Sequence, residues 1–293
     1  MKKWFFYCFL LLALGFAVYH ITPFFEDPRD IKINQGEQKE GELIEGDSEN
    51  TQKIKITEKQ IYKGKLLLVN REYPVRKESV KTDIINLFNH RELTKGYGLL
   101  DDTIHLSKVM AQKFSKMVDA AREDGVNNFL ISSGFRSFER QNELYEEKGA
   151  DYALPAGHSE HNLGLAVDVG STTQMSMYNA PEAEWIDKNA WKYGFILRYP
   201  ANKVDITGIE YEPWHIRYVG LPHSAIMKEK NFALEEYLDY LKEEKEVSAE
   251  VEGEKFTVTY YPFSENMTIN IPEDLDYEIS GDNIDGVIVT VHE

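Results

Sequence analysis

Three short stretches concentrate the residues that can do chemistry. The first is Ser159-Glu160-His161-Asn162-Leu163-Gly164-Leu165-Ala166-Val167-Asp168, the second Glu212-Pro213-Trp214-His215-Ile216-Arg217-Tyr218, the third Ser133-Gly134-Phe135-Arg136-Ser137. His161, Asp168 and His215 offer two imidazoles and one carboxylate, a donor set suited to zinc that leaves a fourth position for water. Glu212 precedes a proline, which keeps its backbone extended. Its carboxylate can then approach such a water and take the proton. Arg136 sits at a strand-to-helix turn, where it can hold a developing oxyanion or a substrate carboxylate.

These residues need elements to bring them together. Alternation over 165–169 predicts a strand with Leu165, Val167 and Val169 facing the core, so Asp168 shares the other face with Ala166 and Gly164. Alternation over 214–218 puts Trp214, Ile216 and Tyr218 on one face and His215 with Arg217 on the other. Two such strands side by side present Asp168 and His215 together, with His161 in the loop above. Residues 66–69 and 129–131 also read as buried strands. Helical spacing of Met110, Phe114, Met117 and Ala121 predicts a helix over 107–124, stopped by Gly125. Ser137 caps a helix running to about Gly149. Further helices are expected near 183–193 and, unbroken, from Pro222 to about Lys245. Beyond Val247 the pattern is β only, with strands at 256–260, 268–271 and 287–291. His20, His90, His105, His223 and His292 read as ordinary core or surface histidines, and His158 as a supporting or substrate contact at most. Spacing alone leaves a plainer alternative open, with Asp168 as a cap or surface ion-pair partner and Glu212 as a solvated turn residue.

The pair Ser-x-His-x-x-Gly-x-Ala-x-Asp and Glu-x-Trp-His resembles the motifs of the zinc D-Ala-D-Ala carboxypeptidase and dipeptidase family. The phrases running from Ala153 to His161 and from Tyr211 to Gly220 are similar to the VanY carboxypeptidases of glycopeptide-resistant bacteria, and the likeness extends over nearly the whole chain. The resemblance implies one zinc per chain held by His161, Asp168 and His215. It implies Glu212 as the catalytic base and Arg136 as the group stabilising the tetrahedral intermediate. Gln141 and Ser159 match positions that hold the terminal D-alanine in related carboxypeptidases. Phe135 stands where tyrosine is common, so a hydroxyl is missing there. Glu160 is the next candidate base should Glu212 not serve. Elements and resemblance together imply an α+β fold, a compact zinc-peptidase domain with a central antiparallel sheet flanked by helices.

Composition and the termini set the context. Of 293 residues, 42% are apolar and 12% aromatic, enough for a folded chain with a sizeable core. Fifty acidic against 33 basic residues give a net charge of −17, which argues against a phosphate-backbone binder. A single cysteine, Cys8, excludes a disulfide framework and a multi-cysteine metal site. Lys2 and Lys3 precede an apolar run over 4–21, which as a helix reaches roughly 27 Å. A membrane anchor over 1–22 with the remainder outside is the expectation. A cleaved signal peptide ending at Gly15-Phe16-Ala17 is the rival. Six acidic residues and three glycines within 36–50 read as part of an acidic flexible linker over 23–60. The catalytic domain is expected over 61–247 and a small β appendage over 248–293.

The expected anchor makes this a single-pass membrane enzyme outside a bacterial cell, and the family resemblance implies removal of D-alanine from D-Ala-D-Ala-ending peptidoglycan stem pentapeptides or precursors. A role in glycopeptide resistance and wall metabolism follows, with no nucleic acid and no obligate protein partner. The alternatives are an L,D-carboxypeptidase on tetrapeptides, a D,D-dipeptidase, for which an exported chain is poorly placed, and a non-catalytic wall-binding module, whose signature would be a missing ligand or base.

Overall fold

The computed structural model describes residues 31–35, 51–150 and 152–293. In chain order the strands are β1 (Lys32–Gln35), β2 (Thr51–Lys55), β3 (Ile84–Asn86), β4 (Gly98–Leu99), β5 (His105–Ser107), β6 (Phe129–Ser133), β7 (Ala166–Ser171), β8 (Phe195–Leu197), β9 (His215–Tyr218), β10 (Glu246–Val251), β11 (Glu254–Pro262), β12 (Thr268–Pro272), β13 (Tyr277–Gly281) and β14 (Gly286–His292). The α-helices are α1 (Lys108–Glu123), α2 (Phe138–Lys148), α3 (Pro181–Asn189), α4 (Val204–Thr207), α5 (His223–Lys230) and α6 (Leu234–Glu244).

The sheet that matters for chemistry has the order β4-β6-β7-β9-β8. Its pairs are antiparallel except the edge pair of β4 and β6, which is parallel. One face is apolar because Phe129 and Ile131, Val167 and Val169, and Ile216 and Tyr218 alternate along their strands. They are buried in one core with Met110, Phe114 and Met117 of α1 and Trp185 and Ile186 of α3. Helix α1 begins where Ser107 accepts from the Met110 amide and ends ahead of Gly125, whose φ is +85°. The ring of Phe114 is fully buried and meets Tyr97 and Phe195 edge-on at 5.0 and 6.2 Å. Phe114→Ala should therefore lower unfolding free energy by about 3–5 kcal/mol, read from the urea midpoint. A loss under about 1 kcal/mol would mean that this core collapses around the gap.

A second core joins α5 and α6 to the carboxy-terminal sheet, whose order is β1-β10-β11-β14-β13. Leu234, Leu238 and Leu241 pack there with Val247, Val258 and Ile288, and with Leu66 and Leu68. Along β14 the alternation is clean. Ile288 faces this core, while Val287, Val289 and Val291 face a third one closed by Ile269 and Ile271 of β12. Strand β12 in turn pairs with β2, in antiparallel register.

Three local expectations meet a different outcome. Residues 66–69 are buried but make no strand. Their backbone is satisfied by side chains and a loop instead: Leu66 N–H donates to the Ser280 hydroxyl, Leu68 N–H to the Asp282 carbonyl, and the Lys65 and Leu67 carbonyls accept from Arg217. The helix expected from Pro222 onward is two helices. Asn231 adopts the left-handed conformation (φ 52°) and Phe232 N–H donates back to the Met227 carbonyl, which ends α5. Within 23–60, residues 32–35 pair with β10 and residues 51–55 pair with β12. The anchor expected over 1–22 and the acidic stretch over 36–50 lie outside the described residues. Among those described, no helix is long and apolar enough to cross a membrane.

Candidate active site

The antiparallel register of β7 and β9 sets Asp168 directly opposite His215. Both point away from the apolar face, as period-two alternation requires. Strand β6 reaches the same place from the other side. A bulge between Ile131 and Ser133 brings Ser133 opposite Asp168 and ends the strand, and the turn from Gly134 to Ser137 follows. His161 lies on a short 3-10 turn before β7, where the Ser159 hydroxyl accepts from its amide at 3.4 Å.

The three side chains converge. Asp168 Oδ2 is 3.2 Å from His161 Nε2, Asp168 Oδ1 is 3.0 Å from His215 Nδ1, and the two imidazoles meet edge-on with centroids 5.0 Å apart. One candidate ligand atom from each lies within 4.8 Å of the other two. The outward nitrogens are engaged by acceptors. His161 Nδ1–H donates to the Gly134 carbonyl at 2.7 Å, and His215 Nε2–H donates to Glu160 Oε2 at 3.3 Å. A carbonyl accepts only, so neutral His161 carries its proton on Nδ1 and turns a lone pair from Nε2 toward Asp168. Two acceptors facing each other at that distance call for a cation between them. Two imidazoles and a carboxylate with their outer atoms anchored fit zinc.

The electrostatics agree. Burial and the nearby Arg136 hold His161 below its ordinary value against the pull of Asp168. Burial opposes the charge on His215 too, but bonds to Asp168 and Glu160 outweigh it and push the imidazole up to about 9. A metal on Nδ1 therefore displaces a proton. Burial opposes ionisation of Asp168 as well, yet positive charge on the two imidazoles outweighs it and holds the carboxyl well below its ordinary range, a role that a cation between them would take over.

Glu212 stands beside this cluster and outside it. Its amide donates to the Tyr199 carbonyl, its carbonyl accepts from the His215 amide, and its Oε2 is 3.8 Å from His215 Nδ1. Burial, joined by repulsion from Asp168, raises its carboxyl above the ordinary value against the pull of His215. Such a group is a better proton acceptor than a free glutamate. Arg136 is fixed through its amide, which donates to the His161 carbonyl at 3.1 Å. Asp168 and Glu212 are its countercharges, and its buried Nε has no hydrogen-bond partner among the described residues. Gln141 spends an Nε2 proton on the Leu154 carbonyl at 2.6 Å, leaving Oε1 buried and unpaired among the described residues.

All seven residues named from the sequence line one cleft of about 500 Å³. Also lining it, and not assigned from the sequence, are Tyr199, whose ring is tilted against that of His215 with centroids 4.9 Å apart, and Arg71, Tyr152 and Trp214. Tyr199, Arg71 and Tyr152 stand at irregular positions without periodic signal; Trp214, expected on the core face, precedes β9 and borders the cleft while packing partly against the core. His158 does not line this cleft; its Nδ1 bonds the Asn70 carbonyl. Glu160 does not line it either and is 1% exposed, which removes it as a reserve base. Gly134 is required by contact: a Cβ there would lie 2.3 Å from the His105 carbonyl oxygen. Gly134→Ala must move the carbonyl that holds His161. The variant should lose about 1–3 kcal/mol of stability and bind zinc more weakly, read by thermal unfolding and chelator competition. Wild-type values for both would show that the turn relaxes freely.

Comparison with known proteins points the same way. The sequence profile of VanY, D-alanyl-D-alanine carboxypeptidase, matches residues 103–221. The chain is 58% identical to a D-alanyl-D-alanine carboxypeptidase of Enterococcus faecium, over 99% of this chain and 96% of that one. It is 34% identical to the bifunctional D-Ala-D-Ala dipeptidase and carboxypeptidase VanXYC of Enterococcus gallinarum, over 60% of this chain and 94% of the other. A crystal structure of the vancomycin-resistance D,D-dipeptidase VanXYg with a D-Ala-D-Ala phosphinate analogue superposes with a TM-score of 0.73 at 32% identity, covering 83% of this chain and all of that one. The chain belongs to the VanY family of D-alanyl-D-alanine carboxypeptidases.

Proposed function

We propose that this chain is a zinc carboxypeptidase that removes the terminal D-alanine from peptidoglycan stem peptides ending in D-Ala-D-Ala. The observation that carries the reading is the cross-strand pair of Asp168 and His215, completed by His161 and flanked in the same cleft by Glu212 and Arg136. Zinc on His161, Asp168 and His215 supplies Lewis acidity to a scissile carbonyl and to an attacking water. Glu212 takes the proton of that water and delivers it to the leaving amine of D-alanine. The Arg136 guanidinium, short of one acceptor at Nε, receives the negative charge that develops on the carbonyl oxygen or the product-side carboxylate. Gln141 Oε1 is a buried acceptor without a partner among the described residues, on a residue that lines the cleft where a donor of the substrate would lie, and Ser159 borders the same space.

The substrate lies outside the cell, and the positive flank and apolar run at the amino terminus support an exported, membrane-anchored enzyme. Removal of the terminal D-alanine destroys the site that glycopeptides bind, so a role in vancomycin resistance and wall metabolism follows. The test is D-alanine release by the purified chain from a stem pentapeptide, a tetrapeptide and free D-Ala-D-Ala. Release should be fastest from the pentapeptide, stop on chelation, return with zinc and ignore β-lactams, because no serine nucleophile takes part. Preference for the free dipeptide would make the chain a dipeptidase, and preference for the tetrapeptide an L,D-carboxypeptidase. Turnover that survives confirmed metal loss would remove the metal mechanism.

A further inference from the structure

Behind His215, on the side away from the cleft, lies a buried charge cluster. Glu160 is its centre. Oε1 accepts from Arg198 Nε at 2.8 Å and from Arg217 Nη1 at 2.7 Å, while Oε2 faces His215 Nε2 at 3.3 Å. Arg198 and Arg217 are 1% and 0% exposed. We propose that Glu160 is a positioning residue of the metal centre: clamped between Arg198 and Arg217, it holds the Nε2 proton of His215 and so fixes that ring as an Nδ1 donor. This rests on the zinc reading above.

The division of labour between the two carboxylate oxygens carries the argument. An arginine that served only to neutralise a buried glutamate would grip both oxygens with its planar fork. Here the fork of Arg198 is spent on Glu235 of α6, Nη1 to Oε2 at 2.9 Å and Nη2 to Oε1 at 2.7 Å. Arg217 gives Nη2 to the carbonyls of Lys65 and Leu67. Both guanidiniums thus reach Glu160 through one oxygen, and the other is left to the imidazole. The charges balance, two guanidiniums against Glu160 and Glu235, so the carboxylate stays ionised although it is buried. Three elements hold it in place: β9 through Arg217, the residue after β8 through Arg198, and α6 through Glu235. The other histidine ligand has a neutral outer partner, the Gly134 carbonyl. A carboxylate on the outer nitrogen makes the ring a stronger donor than a carbonyl does. His215 is therefore the ligand whose strength this chain sets from behind.

The experiment uses the full chain labelled with ¹⁵N-histidine and loaded with zinc. Long-range ¹H–¹⁵N spectra should show the His215 proton on Nε2 and the metal on Nδ1, with the opposite arrangement for His161. Glu160→Gln keeps the shape and removes the charge, and its zinc dissociation constant should rise about 10–100-fold. Arg198→Lys keeps a charge but loses the Nε donor, and should weaken zinc roughly three-fold or more, below the lower end of that range. A His215 proton on Nδ1, or wild-type zinc affinity in folded Glu160→Gln, overturns the proposal. If Glu160→Gln does not fold, the wild-type spectra and Arg198→Lys decide, and unchanged affinity in the lysine variant overturns it. A merely structural cluster would lower the melting temperature and leave affinity in the folded variants untouched. A wild-type chain that fails to hold zinc overturns the metal reading itself, which is a separate outcome.

Discussion

Glu212→Gln should keep one zinc per chain and the wild-type fold while turnover falls by about 10²-fold or more, the usual scale of general acid–base assistance. The reason is geometric. The carboxylate stands 3.8 Å from His215 Nδ1 and belongs to none of the contacts that tie His161, Asp168 and His215 together. Its main chain, which does support His215, is unchanged by the substitution. An amide of the same shape fills the same space and takes no proton, so KM should move little while kcat collapses. Metal content by elemental analysis and kcat from D-alanine release are the two measurements. If Glu212→Gln loses zinc as fully as a histidine variant, the glutamate is a ligand. If it keeps both zinc and turnover, the proton acceptor is another group of the cleft.

His215→Ala should lose its zinc and with it turnover, by on the order of 10³-fold or more, since Lewis-acid assistance is worth several kcal/mol. Two ligands remain, and Asp168 loses the partner opposite it across the sheet. Glu160 also loses the imidazole on its Oε2 while keeping both arginines, so the buried cluster survives and the fold should too. His161→Ala should behave alike on zinc, through loss of the ligand anchored on Gly134. A folded His215→Ala chain that still carries one zinc per chain would place the metal elsewhere. The two results belong together, because only the pair separates holding the metal from moving the proton.

Much of this site was legible before any coordinates. Alternation over 165–169 and 214–218 assigns Asp168 and His215 to the faces opposite the core, and the structure makes them register partners. Helix α1 was legible for the same kind of reason, from its apolar stripe and the glycine after it. Less legible was anything satisfied by a distant partner. Residues 66–69 have the composition of a strand, but the Leu67 carbonyl is taken by Arg217, 150 residues further on, and the Leu68 carbonyl by Asn283, 215 residues further on, and no local pattern announces that. The break at Asn231 turns on one left-handed residue inside a run whose apolar spacing continues across it.

The sequence by itself determined which residues are candidates for the chemistry and which face of each strand they occupy, because side chains alternate between the two faces along a strand. It determined the donor set as well, because ligand chemistry belongs to residue type. The tertiary structure alone decided the outer partners. Glu160, adjacent to a ligand, read as a spare base until Arg198 and Arg217 were seen to enclose it. The physical reason is that a buried charge is defined by what surrounds it, and the groups surrounding Glu160 come from segments 38, 55 and 57 residues away in the chain.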